Sequence, residues 1–78
     1  MTIIPLSEIK PGQSGTVQTI NGKGPFFTRL RELGLRTNKD IALVQKAPLG
    51  CPIEVRFGNL HSVALRKEEA AQIMLALA

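Results

Sequence analysis

At 78 residues the chain holds one domain that buries only about 60–65% of its unfolded surface, which excludes a separate catalytic domain and demands a closed architecture. With 44% hydrophobic and 21% charged residues it is not a disordered segment, and a single Cys excludes a disulfide framework. The net charge of +4 suits an acidic partner or a nucleic acid, but the ten basic residues are scattered singly or in pairs, so charge alone selects neither.

Met-Thr-Ile-Ile-Pro-Leu-Ser-Glu has no basic start and no sustained apolar run, so it is not read as a signal peptide. No apolar stretch nears the roughly 20 residues of a membrane span, and the expected location is cytoplasmic, without direct membrane insertion. Pro5 to Ile9 suits a single helical turn stopped at Lys10-Pro11-Gly12. Ser14 to Ile20 is rich in β-branched residues and reads as a strand, with Gly15 marking a bulge or bend.

Asn21-Gly22-Lys23-Gly24 lies ahead of a helix start, where glycine-rich loops bind phosphate. It lacks the spacing of a phosphate-binding loop and Pro25 deletes one donor, so an ordinary strand-to-helix loop is the better reading. Pro25 opens the helix and Gly34 closes it near Leu33. Phe26, Leu30 and Leu33 fall at i, i+4 and i+7 with Phe27 on the flank, a stripe apolar enough for part of it to line an exposed groove. In the turn from Leu35 to Asp40, Asn38 is the residue best able to take a left-handed conformation, and Ile41 to Val44 follows as a short central strand.

Lys46 to Pro52 carries Pro48 and Pro52 about Gly50 and reads as a rigid corner. It leads into a strand over 53–57, where Ile53, Val55 and Phe57 alternate with Glu54 and Arg56. A two-residue Gly58-Asn59 hairpin places Phe57 opposite Leu60, Val55 opposite Ser62 and Ile53 opposite Ala64. That register puts Val63 and Leu65 on the wet face beside Glu54 and Arg56, which requires either a bulge that shifts the pairing or a cover for that face. Glu68 and Glu69 favour the start of a terminal helix over 67–77 with Ala70, Ile73, Met74 and Leu77 as its stripe and Leu75 exposed. The predicted fold is mainly β: a small barrel of about five strands with two to three short helices.

Three ordered motifs, Arg-Leu-Arg-Glu-Leu-Gly-Leu (29–35), Lys-Ala-Pro-Leu-Gly-Cys-Pro-Ile (46–53) and Ala-Leu-Arg-Lys-Glu-Glu-Ala (64–70), resemble the FeoA family over about Leu6 to Ile73. The resemblance implies an SH3-like barrel and an accessory role in bacterial ferrous iron (Fe²⁺) uptake. It implies as partner the cytosolic part of the FeoB transporter, which carries a GTPase domain, with no catalysis of its own. Where the family has Pro-Gly, this chain has Thr37-Asn38, and Asn suits the same turn.

An iron site or an enzyme needs converging ligands or an activated nucleophile, and one His (His61) with one Cys (Cys51) supplies neither, so no catalytic residue, no metal ligand and no cofactor is assigned. The competing reading is a small basic barrel that binds nucleic acid, against which stands the lack of Tyr and Trp. The expected partner surface comprises Phe26, Leu30 and Leu33 of the helix and Leu49 at the tip of the corner, flanked by Arg29, Arg31 and Arg36. Weak self-association stays open.

Overall fold

The computed structural model describes residues 2–48, 51–58 and 61–77. Its elements run β1 (Thr2–Pro5), a 3₁₀ turn (Leu6–Glu8), β2 (Ser14–Ile20), α1 (Pro25–Glu32), β3 (Asp40–Lys46), β4 (Ile53–Phe57), β5 (His61–Leu65), α2 (Lys67–Ala70) and β6 (Ile73–Leu77). The six strands form one sheet in the order β1-β6-β2-β3-β4-β5, every adjacent pair antiparallel. The sheet encloses a single core that includes Leu6, Ile9, Val17, Phe27, Leu30, Leu35, Ile41, Ile53, Val55, Leu65, Ile73 and Leu75.

The chain end departs most from the sequence expectation. The helix expected over 67–77 stops after one turn, and Ile73 to Leu77 instead pairs with β1 on one side and β2 on the other. Ala, Leu and Met favour helix locally, but Ile73 and Leu75, two residues apart, both enter the core fully buried, and strand pairing on two sides outweighs the local preference. Leu75 is therefore core, at 0% exposure, and not a surface residue. β1, absent from the sequence reading, is an edge strand held by β6 with Thr2 opposite Leu77. The strand count is six where about five were expected.

The hairpin resolves the misplaced apolar face. Phe57 pairs with His61, Val55 with Val63 and Ile53 with Leu65, one residue away from the two-residue register. Val63 and Leu65 thereby join Ile53, Val55 and Phe57 on the core side. The connection holds three residues, and Gly58 takes a φ of +67°.

Gly15 is not the bulge in β2: the irregularity lies between Val17 and Thr19, while Gly15 sits tight against Ala76 and Leu77 of β6. A second irregularity between Leu43 and Gln45 turns Val44 outward. The turn before β3 follows expectation. Asn38 has a φ of +73°, its N–H donates to the Val17 carbonyl, and the Val17 N–H donates to the Lys39 carbonyl, so the turn is pinned to β2. At the corner after β3, the Ala47 N–H donates to the Pro52 carbonyl and Lys46 Nζ donates to the Ser7 carbonyl at 3.2 Å.

Candidate functional site: the α1 surface

The loop ahead of α1 is folded onto the helix. Gly22 is buried beneath the Phe27 ring, where a Cβ would fall inside the aromatic carbons. Arg31 Nη2 donates to the Gly22 carbonyl at 3.2 Å, and Thr28 Oγ1 donates to the Gly24 carbonyl at 3.1 Å. The glycines thus give close approach of loop and helix, which supports the plain connecting-loop reading over a phosphate cradle.

The far end of α1 is closed by a double hydrogen bond. The Gly34 N–H donates to Arg31 and the Leu35 N–H to Leu30, the Schellman pattern, with Gly34 at a φ of +112°. Leu30 and Leu35, the pair that this motif brings into contact, both enter the core. Leu33 sits between them at the helix cap and is 46% exposed.

This geometry rotates the helix face predicted from sequence. At about 100° per residue the buried centre falls between Phe27 and Leu30, so Phe26 is half-buried and Leu33 lies nearly a right angle away. The rings of Phe26 and Phe27 meet edge to face at 5.3 Å. Leu30, expected at the partner surface, is only 2% exposed and cannot touch a partner without unfolding the core; that assignment is corrected. Leu49 lies outside the described residues.

The remaining predicted residues separate onto two flanks. Arg29 and Leu33 project on one side of α1 with Phe26 beside them. Arg31 and Arg36 line a groove of about 520 Å³ on the other, together with Ile20, Thr28, Glu32, Leu35 and Thr37. Sequence reading missed Thr28, Glu32 and Thr37 as lining residues. Thr28, Arg31 and Glu32 do recur at i, i+3 and i+4, but a polar stripe is ordinarily a solvated face, and the rest of the lining comes from Ile20 of β2 and from Leu35, Arg36 and Thr37 beyond the helix.

Elsewhere the surface offers little chemistry. Cys51 is exposed and free. Among the described residues no three His, Cys, Asp or Glu side chains converge as a metal ion requires. No helix among them is long and apolar enough to cross a membrane.

Fold and sequence comparisons converge on one family. A ferrous iron transport protein A/transporter FeoB fusion protein of Porphyromonas gingivalis is 38% identical over 72 residues, covering 92% of this chain and 8% of that protein's length. The solution structure of a FeoA protein from Chlorobium tepidum superposes with a TM-score of 0.85 at 33% identity, over 96% of this chain and 71% of that one. A Stenotrophomonas maltophilia FeoA, crystallised with zinc and described as an SH3 domain protein, superposes with a TM-score of 0.77 at 31% identity, over 91% and 87% of the two chains. These place the six-stranded sheet in the SH3-like class. The FeoA domain, by its family model, matches residues 4–77, from the edge strand through the last residue of β6. A chain whose core, Schellman-closed helix and central terminal strand all fall inside that match belongs to the FeoA family.

Proposed function

We propose that the protein is a non-enzymatic, cytoplasmic accessory factor of ferrous iron uptake that docks on the cytosolic region of an FeoB-type transporter. One observation carries this reading: in the Porphyromonas gingivalis relative, the matched stretch is part of the same polypeptide as FeoB. Two domains joined in one chain are held at a high effective concentration, and a docking surface on this domain is what makes use of that proximity.

The docking surface is the outer flank of α1. Leu33 supplies exposed apolar area, Phe26 extends it, and Arg29 supplies charge beside them, while Arg31 and Arg36 face the groove on the other flank. The sequence expectation adds Leu49 to the proposed surface. Supporting the choice of a protein partner over nucleic acid, Phe27 and Phe57 are buried and Phe26 is half-buried, and the chain has no Tyr or Trp on which a base would stack.

The test is capture of the purified transporter's cytosolic region by the 78-residue protein, with a labelled oligonucleotide as competitor. Capture that Leu33→Glu abolishes and the oligonucleotide leaves unchanged is the expected result. Binding to the oligonucleotide alone sinks the proposal.

A further inference from the structure

The groove on the other side of α1 has a lining that Leu33 does not share. Its two arginines stand on different elements, Arg31 on the helix and Arg36 on the turn behind the Schellman cap, with Thr28, Thr37 and Glu32 also in the lining and Ile20 contributing apolar surface. Arg31 is part-anchored through its bond to the Gly22 carbonyl, which fixes its guanidinium at the groove. Among the described residues Arg36 donates no side-chain hydrogen bond, so its full fork of donors is available to a ligand.

We propose that this groove receives a short acidic peptide segment, its carboxylates paired to Arg31 and Arg36 and an apolar side chain laid on Ile20. On the docking reading above, on which this identification of the source rests, the segment belongs to the transporter's cytosolic region. Guanidinium groups held apart on two elements match separated carboxylates through charge-assisted, bidentate bonds. The protein's net charge of +4 draws such a segment in. Glu32 decides against a polynucleotide: a carboxylate in the lining repels a continuous phosphate chain, whereas a peptide passes its backbone N–H groups or a basic side chain across that position. The volume of about 520 Å³ is that of a few residues of extended chain.

Titration of the ¹⁵N-labelled protein followed by amide shifts tests this, with two probes: the transporter's purified cytosolic region, and a short synthetic peptide of alternating Glu and Leu. Both are expected to move the amides of Thr28, Arg31, Arg36 and Thr37. Arg36→Glu, at an exposed position that leaves the amide spectrum dispersed, weakens each by about tenfold or more, and Arg29→Glu on the opposite flank weakens the Glu-Leu peptide by less than about threefold. Raising salt from about 50 mM to about 500 mM weakens the peptide further, as exposed charge pairs require. If the cytosolic region binds while the groove amides stay silent and Arg36→Glu binds as the unaltered protein does, the groove inference is overturned and docking stands. If the peptide occupies the groove and the cytosolic region does not bind at all, docking falls and the groove's preference for acidic segments stands. Displacement of the peptide by an oligonucleotide, or shifts at these amides that depend only on protein concentration, overturns the inference in favour of nucleic acid or a second copy.

Discussion

Truncating Leu30 and Leu33 separately gives the sharpest test of the helix geometry, since the two differ by three positions and the sequence put both on one face. Leu30 is 2% exposed and belongs to the core cluster with Phe27 and Leu35; Leu33 is 46% exposed. Leu30→Ala removes buried carbon and leaves a cavity, a loss of about 2–5 kcal/mol, whereas an exposed substitution stays within about 0.5 kcal/mol. For 78 residues the whole folding free energy is about 4–12 kcal/mol, so a loss near the middle of that range consumes a large share of it. A 3 kcal/mol loss, taken as about 4–8 °C per kcal/mol for a domain this small, lowers Tm by roughly 12–24 °C. Urea unfolding followed by circular dichroism reads the same change as a midpoint shift of about 3 M, with the slope near 1 kcal/mol/M. Leu33→Ala is expected to unfold at the unaltered midpoint while losing affinity for the transporter's cytosolic region. Equal midpoints for both variants, or a larger drop for Leu33→Ala, would refute the rotated face and with it the docking surface.

Gly22→Ala forces the Phe27 ring out of its place and should cost about 1–3 kcal/mol, seen as a lower Tm together with loss of the Phe26–Phe27 ring contact by NMR; an unchanged Tm would show that the loop does not pack as described. Asn38→Ala places an ordinary side chain at a φ of +73° and is expected to lose about 1 kcal/mol, while Asn38→Gly loses little or gains, and indistinguishable urea midpoints for the two would contradict the left-handed turn. Glu69 Oε1 accepts the Arg66 N–H at 2.8 Å, half of a capping box because Arg66 has no side-chain acceptor. Glu69→Ala should therefore lower stability by roughly 0.5–1 kcal/mol and Glu69→Gln by less, and equal losses would deny the cap. Leu75→Ala should lose about 2–5 kcal/mol as a core residue; stability within about 0.5 kcal/mol of the unaltered protein would restore the terminal-helix reading.

Much of the fold is legible because its signals are local. The β-branched run Ser14–Ile20, the Pro25 and Gly34 boundaries, the left-handed Asn38 and the Ile53, Val55, Phe57 alternation each occupy a short window, and each matches the structure. What stayed hidden depends on partners distant in sequence. Ile73–Leu77 becomes a strand only because Thr2–Pro5 and Ser14–Ile20 lie on either side of it, more than fifty residues away along the chain. The hairpin register is hidden too, although a two-residue turn would put Val63 and Leu65 on the wet face, which marks that register as wrong. At the site, Arg31 and Arg36 were identified but grouped with the wrong neighbours. Helical periodicity counts apolar residues equally, and nothing in it says that Phe27 over Gly22 and Leu35 beyond the cap fix the rotation.

The pairing of Thr2 with Leu77 has a consequence for how this domain can be carried by other polypeptides. The two strand ends lie side by side, so a chain entering before Thr2 and one leaving after Leu77 pass through a single doorway. That doorway is not at the groove. Along β6, Leu77 stands opposite Gly15 and Ile73 opposite Ile20, so the groove residue Ile20 lies four strand positions, about 13 Å, from the exit. A segment tethered directly after Leu77 needs at least about four extended residues before it can turn back into the groove, and a shorter tether forces the groove to recruit from another molecule. Linker length alone would then decide whether such a domain acts on its own chain or on a neighbour's.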